Sequence, residues 1–288
     1  MAKQALNIVK MKKMKQDGEK LTMVTAYDYP SASLAEAASV DMILVGDSLG
    51  NVVQGQETTI PVTIDDMVYH TLSVRRGATH TFVVADLPFM TYHGSIDETM
   101  RNVRRLMQEG LAHAIKMEGG MEICLAVESI VKAGVPVIGH IGLTPQSLNQ
   151  IGGYRIQGKT AEDARRLLED AKALERAGAF AIVLELVTEE VAAEISKQLT
   201  IPTIGIGAGR FCDGQVLVYH DILKYDPNYR DKKFVKTFAD IGAQIRQGLE
   251  EYVSEVKSGQ FPAQQHVFTA DENVIPELYG RRKAESRA

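Results

Sequence analysis

The stretch Met42-Ile43-Leu44-Val45-Gly46-Asp47-Ser48 is four apolar residues, a glycine, then an acid and a hydroxyl. A short apolar run closed by a turn residue reads as a strand buried on both faces, the kind that builds parallel sheets. The pattern recurs. Thr81 to Ala85 runs into Asp86-Leu87-Pro88, His113 to Met117 into Glu118-Gly119-Gly120, Val135 to Gly139 into His140, and Phe180 to Leu184 into Glu185. With Leu21 to Thr25, Pro202 to Ile206 and Val216 to Tyr219, the strands number eight.

Amphipathic stretches alternate with them: Ser31 to Ala38, Ile64 to Arg76, Ile96 to Glu109, Met121 to Ala133, Ala161 to Ala177 and Glu189 to Leu199. Gly110, Gly134 and Gly178 each follow a helix end, where a left-handed stop is expected. Asp97, Thr160 and Thr188 read as N-cap or first-turn residues. Eight βα units in 288 residues, with no break in composition, favour a closed single-domain α/β fold, the (β/α)8 TIM barrel. An N-terminal helix is expected over Ile8 to Met14 and a C-terminal helical extension over Phe234 to Ser258. The barrel domain is placed at 1–268 and a polar tail at 269–288.

A hydrophobic share of 45% and a charged share of 24% suit a folded globular protein. The net charge of −5 and the scatter of Lys and Arg, apart from positions 10–20 and Arg281-Arg282-Lys283, argue against nucleic acid. Cys124 and Cys212 form no C-x-x-C, which points to a reducing compartment and no zinc. No apolar run has the length of a signal core or a membrane span, so a cytoplasmic location is expected and no membrane partner.

Barrel active sites lie at the carboxyl ends of the strands. A single acid there is often a helix cap, but Asp47, Asp86 and Glu118 end three successive strands. Adjacent strand ends lie roughly 5 Å apart, so the three are expected to converge and to repel one another unless a cation intervenes. All-oxygen ligands suit Mg²⁺ or Mn²⁺ better than zinc, and a 2-oxo acid could chelate such an ion. Lys116 shares the inward face with Glu118. It reads as a balancing ion-pair partner, a cation for a substrate oxygen or a Schiff-base nucleophile, the second being favoured beside a metal. Glu185 stands outside the triad and is the leading general base, a structural ion pair being the alternative. His140 reads either as a hydrogen-bonding rim residue or as a substrate contact. Gly205-Ile206-Gly207-Ala208-Gly209 lacks dinucleotide spacing and reads as a wall of the site.

Six stretches together resemble the ketopantoate hydroxymethyltransferase family, in order from about Leu21 to His266: Thr25-Ala26-Tyr27-Asp28-Tyr29, Leu44-Val45-Gly46-Asp47-Ser48-Leu49-Gly50, Ala85-Asp86-Leu87-Pro88-Phe89-Met90, Lys116-Met117-Glu118-Gly119-Gly120, Gly139-His140-Ile141-Gly142-Leu143-Thr144-Pro145-Gln146 and Ile204-Gly205-Ile206-Gly207-Ala208-Gly209. The match weakens over Lys224 to Asp231 and beyond Phe268. The resemblance implies transfer of a hydroxymethyl group from 5,10-methylenetetrahydrofolate to 3-methyl-2-oxobutanoate, giving 2-dehydropantoate on the route to pantothenate and coenzyme A. It also implies Mg²⁺ and a homodecamer. Carried over by position, the metal carboxylates are Asp47, Asp86 and Glu118, the substrate contacts Asp47, Ser48, Asp86 and Lys116, and the base Glu185. Asp47 and Asp86 are the firmer ligands, with Glu118 acting through water.

Two rivals are a metal-dependent barrel lyase or mutase of the phosphoenolpyruvate or isocitrate type, and an inactive scaffold barrel. The first typically carries a reactive cysteine on a mobile loop, and neither Cys124 nor Cys212 sits in such a motif. The second is disfavoured by an intact set of acids and lysine.

Overall fold

The structure is a computed structural model that describes residues 6–280; the Arg281-Arg282-Lys283 cluster and the last part of the expected tail lie outside the described residues. Eight strands pair in parallel and in sequence order: β1 (Leu21–Thr25), β2 (Met42–Val45), β3 (Phe82–Asp86), β4 (Ala114–Glu118), β5 (Val137–Gly142), β6 (Ala181–Glu185), β7 (Thr203–Ile206) and β8 (Gly214–Leu217). β8 returns to β1, with Leu21 opposite Gly214 and Val24 opposite Leu217, so the sheet closes and no edge strand remains. The expected α/β barrel is the observed one.

Side-chain alternation divides the core in two. Leu21, Met23, Met42, Leu44, Phe82, Val84, Ala114, Ile138, Ala181, Val183, Ile204 and Val216 fill the barrel interior, and Met11 joins them, fully buried, from the N-terminal helix Ile8–Asp17. That helix runs to Asp17, beyond the expected Met14, because Gly18 at φ +73° supplies its stop. The odd-facing residues, such as Ile43, Val45, Val83, Ala85, Ile115 and Met117, pack outward against the surrounding helices.

Four strands extend past their expected ends, β5 by three residues to Gly142 and β3, β4 and β6 by one. Asp86 pairs with Lys116, Glu118 with His140, and Glu185 with Gly142 and Ile206, so all three acids are the last rungs of the ladder with inward side chains. An apolar pattern alone stops a strand at the first charge. The backbone keeps pairing because the inner face there borders a cavity and not the packed core. β8 instead ends early, since Val218 turns the chain into the short helix Tyr219–Ile222 and the Tyr219 N–H donates to Thr25 Oγ1 at 3.0 Å.

The helices Tyr29–Ala37, Ile64–Gly77, Cys124–Lys132, Ala161–Arg176 and Glu189–Gln198 lie close to their expected spans. Asp28, Thr63, Ser95 and Thr160 accept first-turn N–H groups as N-caps. Asp97 lies in a first turn, while Thr188 holds the N-cap position but donates its hydroxyl to Gly158 O instead. Gly134 and Gly178 take φ of +91° and +100°, as a left-handed stop requires. Gly110 does not. The helix from Ile96 is regular to Arg104, widens into a π turn over Arg105–Glu109, and Leu111 takes the left-handed position at φ +60°. Gly110 is small for another reason: a Cβ there would stand 2.8 Å from Leu106 O and 3.2 Å from the Thr71 side chain.

The expected helix from Phe234 also differs. Phe234 to Asp240 is not helical, and the helix occupies Ile241–Ser258, opened by Asp240 accepting from the Ala243 N–H at 3.0 Å. The apolar period of Phe234 and Phe238 serves a strap: Phe234 stacks beside Gly207 and Leu186, and the Phe238 N–H donates to Ile222 O at 2.8 Å. The chain divides into two compact units, 1–239 with the barrel and 240–288 with this helix; the expected boundary at 268 falls inside the second. Among the described residues no helix is long and apolar enough to cross a membrane.

Glu36 ties the helix Tyr29–Ala37 to the start of β3. Its carboxylate accepts from the N–H groups of His80 and Thr81 at 2.7 and 2.8 Å and from the Thr81 hydroxyl at 3.0 Å. Burial opposes the charge, but these donors hold the carboxyl down at about 2. A depressed folded value stabilises above the unfolded value of 4.5 and is lost as pH falls from there towards 2. Glu36→Gln is expected to cost about 1 kcal/mol at pH 7 in urea denaturation, the figure being discounted for partial solvation. The gap to wild type should narrow as pH falls through that window, and a pH-independent gap would contradict the assignment.

Candidate active site

The site begins with the β4 alternation, which points both Lys116 and Glu118 into the barrel mouth while Met117 packs outward. Lys116, 4% exposed, places Nζ 3.2 Å from Asp86 Oδ1, 3.9 Å from Glu118 Oε1 and 3.1 Å from His140 Nδ1. Asp47 arrives differently, from the turn after β2. Gly46 holds the inward position, where a Cβ would meet Ser48 Oγ at 2.8 Å, and the turn lets the Asp47 N–H donate to Asp86 Oδ2 at 3.1 Å.

Gln146 ties these groups together. Fully within the protein, it donates Nε2–H to Asp47 Oδ2 at 2.8 Å and to Leu87 O at 2.9 Å, and its backbone N–H to Glu118 Oε2 at 2.9 Å. Its Oε1 accepts from the Tyr92 hydroxyl at 2.7 Å, and that hydroxyl accepts in turn from the Glu118 N–H at 3.1 Å. Tyr27 stands 2.8 Å from Ser48 Oγ. Across the mouth, Glu185 Oε2 lies 3.2 Å from His140 Nε2, and His140 Nδ1 lies 3.4 Å from Glu118 Oε1.

The charges are out of balance. Burial and the neighbouring Glu118 and Asp86 push the Asp47 carboxyl well up. Burial also raises Asp86, with Lys116 opposing and Glu118 adding. Glu118 goes the other way: burial disfavours its charge, but His140, Lys116 and the Gln146 N–H hold it down. Lys116 is held charged by Asp86, Glu118 and Asp47 despite its burial. Burial and Lys116 pull the His140 imidazole down, yet Glu118 and Glu185 push it up to about 9.

A divalent cation fits this donor set. Asp47, Asp86, Glu118 and Glu185 line one cavity with Lys116 and His140 beside them, so acids outnumber the basic groups of the cluster. Asp86 Oδ1 is buried with no hydrogen bond, only the Lys116 charge nearby. Among the described residues, however, no three His, Cys, Asp or Glu side chains already form a ligand cage, because Gln146 draws Asp47 Oδ2 and Glu118 Oε2 to itself. Asp47 and Asp86 are joined directly, whereas Glu118 is engaged by Lys116, His140 and Gln146.

The cavity holds about 470 Å³ and is lined by every site residue expected from the sequence: Asp47, Ser48, Asp86, Lys116, Glu118 and Glu185, with His140. Ile206 of the glycine-rich run is one wall, and Gly207 at φ +64° lies against Phe234. Neither Cys124 nor Cys212 lines it. The sequence reading missed Gln146, Tyr92 and Tyr27 as site residues. Gln146 and Tyr27 lie in the quoted motifs but carry no spacing signal, and Tyr92 sits in the loop after β3.

A closed parallel barrel whose carboxyl-terminal mouth gathers four acids, a lysine and a histidine around a cavity has the architecture of a barrel enzyme with a small-molecule site. Solved barrels share the fold: a phosphoenolpyruvate phosphomutase from Streptomyces platensis subsp. rosaceus, at 18% identity and TM-score 0.58 with 96% of each chain covered, and a phosphonopyruvate hydrolase solved with oxalate and Mg²⁺, at 14% identity and TM-score 0.58 over 96% of this chain and 95% of that one. Residues 5–264 match the sequence profile of ketopantoate hydroxymethyltransferase. The chain is 57% identical over 271 residues to a 3-methyl-2-oxobutanoate hydroxymethyltransferase of Bacillus cereus (strain AH187), covering 94% of this chain and 97% of the relative, and 56% identical over 272 residues to one of Bacillus thuringiensis (strain Al Hakam), with the same coverage. The chain belongs to the ketopantoate hydroxymethyltransferase family, a family of one-carbon transferases.

If Gln146 is the tie between the strand ends, Gln146→Leu leaves Asp47 Oδ2 and Leu87 O without this buried donor. The expected loss is about 2 kcal/mol in urea denaturation, with an unchanged midpoint contradicting the role.

Proposed function

We propose that this chain transfers a hydroxymethyl group from 5,10-methylenetetrahydrofolate to 3-methyl-2-oxobutanoate, forming 2-dehydropantoate on the cytoplasmic route to pantothenate. The observation that carries the reading is the division of the acids. Asp47, Asp86 and Glu118 crowd around Lys116, while Glu185 stands apart beside His140 in the same cavity.

Asp47 and Asp86, with Glu118 behind them, would hold Mg²⁺, which when bound supplies a Lewis acid for the 2-oxo group. Lys116 neutralises the charge that develops on the keto oxygen, and Ser48, backed by Tyr27, offers a hydroxyl for substrate oxygens. Glu185 removes the proton from C3, and His140 keeps that carboxylate facing the cavity. The donor's C–N10 bond opens to leave the methylene as an N5-iminium, the enolate carbon bonds to it, and water then supplies the hydroxyl oxygen as the C–N5 bond breaks; tetrahydrofolate leaves with the C3 proton and the proton lost by water on its two nitrogens. Holding the two reactants in one cavity turns a loose encounter into an oriented one.

Glu185→Gln is expected to slow exchange of the C3 proton of 3-methyl-2-oxobutanoate in D₂O by about 10²- to 10⁴-fold, read by NMR, while Mg²⁺-dependent binding of the acid survives in calorimetry. Exchange at the wild-type rate would remove Glu185 as the base. Binding of the acid that persists at full strength in EDTA would remove the metal.

The homo-oligomer, a decamer by family resemblance, is supported by the second unit. Ile245, Leu249, Tyr252 and Val256 recur at helical spacing on the helix Ile241–Ser258 and stay 41 to 60% exposed. Leu249→Glu with Tyr252→Glu is expected to lower the mass seen by sedimentation. An unchanged mass would exclude this face from the assembly.

A further inference from the structure

The acids around Lys116 and His140 are one set of cavity walls. The same cavity is also lined by Leu186, Ile206, Val218, Tyr154, Phe234 and Asp221. A five-carbon 2-oxo acid is far smaller than a space of about 470 Å³, so room remains beside it for a second reactant.

Of the acids that line the cavity, Asp221 alone stands outside the inner group of Asp47, Asp86, Glu118 and Glu185. It is 6% exposed, and Lys232 reaches in from the strap to hold its Oδ2 at 2.5 Å. Phe234, two residues on, lays its ring against Gly207, where a Cβ would come within 3.1 Å of it. A buried carboxylate with two acceptor oxygens, held by a strap that carries the Phe234 ring two residues from Lys232, matches a flat aromatic ring that carries adjacent N–H donors.

We propose that the part of the cavity at Asp221 and Phe234 seats the pterin head of the reduced-folate donor, with Asp221 accepting from the ring N–H and 2-amino group and Phe234 offering an aromatic face. This rests on the folate reading given above. Lys232 then only balances the charge of Asp221, and the strap that carries Lys232 and Phe234 is a wall of the donor subsite.

The test is calorimetric binding of tetrahydrofolate to the full chain with Mg²⁺ and 3-methyl-2-oxobutanoate present, alongside binding of the acid itself and thermal melting of each variant. Asp221→Asn and Phe234→Ala are expected to weaken tetrahydrofolate about 10-fold or more and to leave the acid within about 2-fold. Lys232→Ala, which removes the tie but keeps the acid, is expected to weaken tetrahydrofolate by less than about 3-fold. Phe234→Ala probes the same wall without disturbing the buried pair, so it decides the matter even where Asp221→Asn unfolds. Equal losses in Asp221→Asn and Lys232→Ala would overturn the proposal, because Asp221 would then act only as an anchor for the strap. Unchanged tetrahydrofolate binding in Asp221→Asn and Phe234→Ala would overturn the subsite and leave the folate reading standing. Absence of tetrahydrofolate binding to the wild-type chain, with acid binding intact, would overturn the folate reading and the subsite together.

Discussion

Lys116 is the interaction on which the mouth of the barrel depends. Its ammonium stands within 4 Å of Asp86 and Glu118 and against the His140 ring, almost out of reach of water. Buried carboxylates without a counter-charge either take up protons or force the structure apart. One ammonium cannot neutralise three of them. Lys116 therefore keeps the cluster foldable while leaving it short of positive charge, and that shortfall is what a bound cation and an anionic, chelating substrate would complete together. A mouth fully neutralised by its own lysines would be more stable and would have no call for either.

The second constraint is geometric. An inward residue recurs at every other position of a strand, so β4 can present both Lys116 and Glu118 only by extending its ladder one residue farther than its apolar pattern predicts. The neighbours must extend with it, as Asp86 and His140 do. Gly142 allows the next step: at φ +98° a Cβ there would fall 2.2 Å from Glu185 O, so the close approach of β5 and β6 that brings Glu185 towards His140 needs a residue with no side chain. The separation of Glu185 from the inner acids is thus set by backbone pairing, with His140 between Glu185 and Glu118.

This explains what was legible in the sequence and what was not. The strands were readable because both faces of a parallel barrel are apolar over most of their length, and the acids were readable because three of them follow such runs on successive strands. Strand ends were misread by one residue at Asp86, Glu118 and Glu185 and by three at Gly142, since hydropathy reports the packed core and not where hydrogen bonding stops. Gln146 was invisible as a tie because its partners, Asp47, Leu87, Glu118 and Tyr92, come from two separate strand-end loops and one strand, and no spacing along the chain encodes that meeting. Gly110 shows the opposite error. Its position after a helix suggested a left-handed stop, whereas close packing against Leu106 and Thr71 is what keeps it small.

The strap after β8 follows from the same logic. Phe234 and Phe238 have a spacing that reads as helix, with Lys232 just before that span. That reading treats the segment alone. Placed over a barrel mouth, an aromatic ring finds Gly207 and Leu186, a lysine finds the buried Asp221, and the Phe238 N–H finds Ile222 O, so the strap exchanges helical bonds for contacts with the cavity wall. Such contacts exist only because β7 turns through glycines and β8 stops early. Ile206, Val218, Asp221 and Phe234 thus reach the cavity from β7, β8 and the chain after them, while Asp47, Asp86, Glu118 and Glu185 reach it from the ends of β2, β3, β4 and β6. On the proposed reading, that division gives each of two reactants its own set of walls in one closed sheet.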